Sequence, residues 1–399
     1  MNIFKTKIVI ALISINLLYS TNCISQNKKF ELEILENNDE NDEKVVRLGY
    51  LIDSLIYSNN LKGYKNTMHF EAFLEKVNVE NNLNEKDPEK INDYKKGLKK
   101  GLNNIPQNII EEVNAGAIYD FISYSYNDYT KSYHMLFRFY GSDTGVNYHD
   151  YEVVKDKNSD TFQFSDIYIY LSGENMSQTL SRVIKAGNKN DNTSGLSKNF
   201  LYFFSATKLY KIGQYEKAYK KLLKVKYPLS EEKFFLIFKS QIAAEISLES
   251  YEKSIKQLIN TFPDDPTIYL NKIDYYLLKE QYFDAIQHLD LLQTATEDDF
   301  LNYLKGTIAF MDENYAMALE NLKYTIDNYP NFFEGQDSYM VLLITMKKNE
   351  EAIANLYKLS EFYEKEDLID YFEELDDNGE NLFEDFIKTK AYKKWKRKG

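Results

Sequence analysis

Apolar positions in this chain change their period twice, and the changes divide it into regions. From Val45 to about Ser58, the residues Val46, Leu48, Tyr50, Leu51, Leu55 and Ile56 keep one apolar side at helical spacing. Phe70, Phe73, Leu74 and Val77 predict a second helix. A third begins at Pro88 behind the capping residue Asp87, and a fourth follows Pro106 through Ile109, Ile110 and Val113. After Gly116 the alternation switches to period two. Four aromatic-rich runs, over 118–126, 133–140, 147–155 and 162–171, are separated by Asn127-Asp128, 141–145 and 156–160, all turn chemistry. Short consecutive turns predict an antiparallel meander, closed by a short helix over 177–185. Helices followed by a four-stranded meander make an α+β domain over 45–185. Residues 186–195, rich in Gly, Asn, Asp and Ser, read as a linker. Beyond it only helical periodicity remains, so the fold class is α+β followed by all-α.

Composition narrows the picture. The 399 residues are enough for two domains, and 43% hydrophobic content excludes a largely disordered chain. Net charge is −13, and the one dense basic run is the tail from Lys393 to Lys398, which argues against a nucleic-acid partner. Lys5 and Lys7 precede a mostly apolar stretch over 8–18, and small and polar residues then lead to Ser25-Gln26. This pattern predicts a signal peptide over 1–25, cleavage before Gln26, and an exported protein, periplasmic or envelope-associated or secreted. The stretch is too short for a permanent span, so no transmembrane segment is expected in the mature chain. Cys23 is the only cysteine. Its neighbours Ser20, Thr21 and Asn22 fit a lipidation signal poorly, and membrane contact is expected only if Cys23 is lipidated. Residues 26–44 include an acidic run over 36–43 and read as a solvated tether.

The helical half repeats itself. Gly306, Tyr315, Ala318, Leu322 and Pro330 set a register that Tyr282, Ala285 and Leu289 hold one period earlier. Tyr251, Ser254, Leu258 and Pro266 hold it before that, then Gly213, Tyr215, Ala218 and Leu222, with Asn349, Ala352 and Leu356 continuing it forward. A period in the low thirties, about 34 residues, belongs to helix–turn–helix solenoids. This half resembles the tetratricopeptide repeat family, which implies about five helix pairs over 196–378. The segment 379–399, with Phe386, Tyr392 and Trp395, is a capping helix in this reading. The resemblance further implies a groove for a protein or peptide partner. By register its wall is Phe203, Lys239, Leu270, Tyr303 and Asp337, while an all-apolar column of Tyr210, Ile246, Leu277, Phe310 and Ile344 is interhelical core.

The N-terminal order of elements resembles the cone-shaped SnoaL-like and nuclear-transport-factor-like proteins, which hold small molecules in the cone. Folding the meander about its turns brings His149 opposite Arg138 and Asp150 opposite Asp166. If Arg138 joins the two carboxylates, these four residues make a polar cluster with Asp150 or Asp166 as base. The competing reading is a structural ion-pair group. His69, His134, His149 and His288 are too scattered for a metal set, and no phosphate loop, zinc motif or nucleophile elbow occurs, so neither a metal nor a cofactor is expected. Glu374, Asp376, Asn378, Gly379 and Asp385 approach a calcium-loop spacing with both end positions wrong. The function that follows is a non-enzymatic, exported scaffold that holds a protein or peptide. Activity or small-molecule binding in the first domain, or a lipid-anchored structural role, are the alternatives.

Overall fold

A computed structural model describes residues 30–79, 87–102, 104–141, 145–187, 195–263, 265–375 and 379–398. The expected signal peptide, Cys23 and the start of the expected tether lie outside these residues, as does most of the expected linker. Two compact units account for the described chain: one reaches Tyr275 and includes Thr294–Glu297, the other comprises Tyr276–Gln293 and the residues from Asp298 onward.

The first unit opens with a correction. The residues from Phe30 to Lys44 are not a solvated tether. Glu33 N donates to Lys155 O and Lys157 N to Glu31 O, both at 2.8 Å, so this stretch lies along a strand edge. Leu35 is buried, and its carbonyl accepts from Tyr126 OH at 2.7 Å. The acidic run then starts helix α1 (Asp39–Tyr57), where Asn38 Oδ1 accepts from Asn41 N and Asp39, Glu40 and Asp42 occupy the first turn. Carboxylates there face the positive end of the helix dipole, which is why a run with little to bury is ordered. Helices α2 (Leu61–Asn66), α3 (Phe70–Val77), α4 (Pro88–Leu102) and α5 (Asn104–Asn114) follow.

The strands are β1 (Ile118–Asn127), β2 (Ser132–Gly141), β3 (Gly145–Lys155), β4 (Phe162–Ile169) and a two-residue β5 (Glu174–Asn175), leading into α6 (Met176–Gly187). All pair antiparallel in the order β1-β2-β3-β4-β5, so the meander is one strand longer than expected. Its first and last strands are opposite edges of an open sheet. The sheet does not close into a cone, and the resemblance to cone-shaped proteins fails on this point. One face packs on the N-terminal helices through Tyr119, Tyr133, Met135, Phe137, Tyr151 and Phe164, which share a core with Ile52, Phe73 and Leu180.

The helical region pairs α7 (Gly195–Lys211) with α8 (Tyr215–Leu222), and α9 (Lys233–Ala244) with α10 (Leu248–Thr261). Helix α11 (Tyr269–Leu278) begins in the first unit, and α12 (Tyr282–Thr296) follows it. In the second unit α13 (Leu301–Met311) pairs with α14 (Tyr315–Asn328), and α15 (Phe333–Thr345) with α16 (Asn349–Leu359). Helices α17 (Lys365–Glu373), α18 (Glu384–Ile387) and α19 (Lys390–Arg397) follow, with Phe372, Tyr392 and Trp395 buried in the second unit's core.

The register has a physical cause. Tyr215, Tyr282, Tyr315 and Asn349 are the first residues of α8, α12, α14 and α16, and in each case a residue with positive φ stands two positions earlier: Gly213, Glu280, Glu313 and Lys347. Ala218, Ala285, Ala318 and Ala352 are fully buried, one turn into each helix. A small residue there lets two helices cross closely. The result is a largely helical region of paired helices in a solenoid-like arrangement.

Helices of the first unit also meet its sheet. Gln241 Nε2 donates to Leu171 O at 3.3 Å, and Tyr168 OH to Thr267 Oγ1 at 3.2 Å. Lys233 Nζ ties Thr267 to Asp265 at 2.9 and 2.7 Å. The guanidinium of Arg182 lies 3.6 Å from the Phe234 ring centroid and pairs with the buried Glu174 carboxylate.

Candidate functional site

Register decides the fate of the predicted sheet cluster. Arg138 stands opposite Tyr148, His149 opposite Phe137, Asp150 between Leu136 and Tyr168, and Asp166 opposite Glu152. The expected pairing of His149 with Arg138 is therefore off by one residue, and that of Asp150 with Asp166 by two. The β2–β3 hairpin closes on Gly141 and Gly145 where expected, and counting from that pair puts Phe137, not Arg138, opposite His149. Between β3 and β4 a bulge at Glu152/Val153 leaves Ser165 as an extra residue and shifts Asp150 further from Asp166. A one-residue slip changes the face of a side chain. His149 lies on the helix-facing side with Phe137 and Tyr151, whereas Arg138 and Asp150 lie on the reverse. Arg138 is buried and pairs with Asp120. Asp166 accepts from Ile167 N at 2.9 Å and Ser177 N at 3.1 Å, and burial raises its pKa against these bonds. The four residues do not converge on one site.

What the helix-facing side holds instead is a chain of hydroxyls. Tyr64 OH lies 2.9 Å from Tyr151 OH, which lies 2.7 Å from Tyr119 OH. Tyr119 OH continues to His149 Nδ1 at 3.1 Å, and His149 Nε2 is 3.1 Å from Asn147 Nδ2. Since that amide donates, the imidazole nitrogen accepts, and a neutral ring with its proton on Nδ1 satisfies both bonds. Burial holds His149 down to about 4 and pushes all three tyrosines well above their ordinary range. The chain is therefore neutral throughout and serves as a satisfied polar seam in an aromatic core.

On the reverse face, Ser132 Oγ is 3.2 Å from His134 Nε2, and His134 Nδ1 is 3.0 Å from Asp150 Oδ1. Thr130 Oγ1 holds the same serine hydroxyl at 2.7 Å. This half-exposed row pins the start of β2 to β3. The sequence signal for it was the i, i+2 spacing of Thr130, Ser132 and His134, but the cross-strand partner needed the register.

In the helical region the residues of the predicted groove wall are partly buried and make contacts within their own units. Within the first unit, Phe203 meets Phe234 and Phe238 at centroid distances of 5.5 and 5.3 Å. Lys239 Nζ donates to Gln257 Oε1 at 2.7 Å, and Leu270 is half-buried. Within the second unit, Tyr303 packs edge-on against Phe332 at 4.8 Å, and Asp337 accepts from Tyr371 OH. Of the apolar column, Tyr210 and Ile246 flank one core, Phe310 and Ile344 the other, and Leu277 is half-buried. All ten residues of the two columns are partly buried, so burial does not separate the expected wall from the expected core.

Among the described residues an open concavity lies between α7 and α8. Ser205, Leu209, Gln214, Lys217, Lys220, Lys221 and Lys224 line a volume of about 440 Å³. Lys217, Lys220 and Lys221 follow helical spacing on one face of α8, Lys224 stands just past its C-cap Leu223, and Ala218 and Leu222 are buried on another side of the helix. Residues 195–230 carry eight lysines and one acid, Glu216, a net of 8 − 1 = +7, in a chain whose remainder is −13 − 7 = −20. Sequence reading missed this face because it searched for runs of basic residues, and here they are interleaved with Tyr, Ala and Leu.

Among the described residues no group of three or more His, Cys, Asp or Glu is placed to hold a metal, and no helix is long and apolar enough to cross a membrane. Asp376 and Asn378 of the calcium-like spacing lie outside the described residues. No family model, no curated protein and no solved structure matches this chain. With no family model matching, the resemblance to tetratricopeptide repeats is corrected to the coarser finding of solenoid-like helix pairs.

Proposed function

We propose that this protein is a binding scaffold whose helical region holds a protein or peptide partner, and that it works after export, in a bacterial envelope or beyond it. One observation carries the first part: helix pairs built on a repeating register, each buried against its neighbours through Ala and Leu positions, which gives extended surface around small cores. The positively charged start and apolar stretch over 8–18 support the second part.

The test is site-resolved photo-crosslinking with the full chain in its source cells. A photoreactive residue replaces Leu223, Phe283 or Tyr357, all exposed on the helical region, or Tyr129 in the β1–β2 turn. One polypeptide crosslinked from helical positions and not from Tyr129 supports the scaffold. Adducts from Tyr129 alone, or from none, count against it. Fractionation and N-terminal sequencing address export: Gln26 as first residue supports signal-peptide removal, a lipidated Cys23 makes the protein membrane-anchored, and an intact Met1 in the cytosol removes the export proposal.

A further inference from the structure

We propose that the lysine-lined concavity between α7 and α8 is the site where an acidic polypeptide segment docks, with carboxylates on Lys217, Lys221 and Lys224 and an apolar side chain on Leu209. This inference rests on the scaffold reading and names the chemistry of its partner.

Charge complementarity selects the occupant. A region of net +7 inside a chain whose remainder is −20 is a local field, not a general property of the surface. Of the four lining lysines, Lys220 alone has a carboxylate of the described chain within 4 Å, Glu216 at 3.9 Å, and that pair is exposed. Lys217 contacts only the neutral Gln214 Oε1, at 3.0 Å, and Lys224 lies 5.9 Å from the Tyr202 ring. A solubilising end face would mix signs, as α17 does with Lys365, Glu366 and Asp367.

Spacing selects a polypeptide. Lys217 and Lys221 are about 6 Å apart along the helix axis at 1.5 Å per residue. Acidic residues two apart in an extended segment are about 7 Å apart. Each lysine thus meets every second residue of a strand-like segment. On α7, Leu201, Ser205 and Leu209 form an i, i+4, i+8 row, so the floor of the concavity is partly apolar and suits a mixed acidic–apolar sequence. These residues lie on a different side of α7 from Phe203 and Tyr210, which meet Phe238 of α9 and are spent on packing. A nucleic acid offers phosphates and no apolar side chain for this floor, and its long charged backbone meets the surrounding negative field. A flat anionic bilayer meets the same field and does not enter a concavity.

The experiment uses the full mature chain and a short fluorescent peptide alternating glutamate with leucine and serine, read by anisotropy. Binding is expected, and it should weaken steadily with added salt. Changing Lys217, Lys221 and Lys224 together to Glu should weaken it by about tenfold or more, because three exposed ion pairs are lost and repulsion replaces them. The milder triple change to Gln should weaken it less and guards against a folding defect. Changing Lys393 and Lys394 to Gln in the basic tail should leave it unchanged. The proposal is overturned if the Glu variant binds as the parent does, if the tail variant alone loses binding, or if no peptide binds. It is equally overturned if phosphatidylglycerol vesicles or duplex DNA bind through the three lysines and the peptide does not. Crosslinks that persist from Phe283 and Tyr357 in the Glu variant would then leave the scaffold standing with its site elsewhere.

Discussion

His134 on β2 reaches across to Asp150 on β3, Nδ1 to Oδ1 at 3.0 Å, one rung away from its direct partner Glu152. Burial works against the charged imidazole, but the hydrogen bond and charge of Asp150, with Glu152 behind it, outweigh burial and raise the His134 pKa above its ordinary 6.5. A raised histidine pKa stabilises the fold fully below the unfolded value, and that stability is lost as pH rises through the folded value. NMR titration should find the His134 midpoint above 6.5 in the parent and lower in Asp150→Asn. The same substitution should cost more stability at pH 5 than at pH 8. An unmoved midpoint would mean the pair does not exist in solution.

His149 should behave in the opposite sense. Burial keeps it neutral to about 4, whereas an unfolded chain takes up the proton near 6.5. Stability must therefore fall as pH drops from about 6.5 to about 4 and level off below, with a contribution of up to about 3 kcal/mol. In the parent this loss is set against the stability that His134 retains over the same range. His149→Gln cannot titrate and keeps an amide to meet Tyr119 OH or Asn147. Urea unfolding at several pH values should show a flatter acid limb in the variant, and an unchanged slope would place the acid-sensitive group elsewhere.

The contrast between these histidines shows what the chain's pattern does and does not disclose. Both sit on β3 or its neighbour, and period-two alternation located those strands almost to the residue. It could not count across strands, because the bulges at Phe121/Ser123 and Glu152/Val153 add residues without interrupting the aromatic pattern. The helices were legible by the same means, since buried Ala and Leu recur at fixed spacing. The acidic start was misread because charge was weighed and the dipole of the helix it begins was not. The α8 lysines were overlooked because a basic face on a helix is dispersed along the sequence.

Gly306 on α13 carries the closest crossing of its pair. A Cβ built there would stand 2.7 Å from Leu322 Cγ and 3.0 Å from the Leu322 backbone nitrogen on α14. The side chain can rotate away but the backbone must shift. Alanine brings a gain in helix propensity of about 1 kcal/mol, and overpacking of this kind costs about 1–3 kcal/mol. Gly306→Ala should therefore be neutral to destabilising by up to about 2 kcal/mol, and Ala318→Leu on the facing helix should lose about 1–3 kcal/mol. Chemical denaturation of each variant checks the order. A stabilising Gly306→Ala would show that α13 and α14 are further apart.

Glu313 makes the turn between those two helices at φ 56°, the conformation that Gly213 adopts at φ 71° in the turn before α8. A side chain in the left-handed region costs about 1–2 kcal/mol, which glycine does not pay. Glycine loses about 0.5–1 kcal/mol more backbone entropy on folding, so the net gain from Glu313→Gly is about 0.5 kcal/mol. Glu280 at φ 54° and Lys347 at φ 57° hold the equivalent position before α12 and α16, and the same substitution should act in the same direction at each. Thermal unfolding of the triple variant should rise by a few degrees if the three turns share one geometry. A loss at one position alone would identify a turn whose side chain holds the helices by a contact that outweighs its strain.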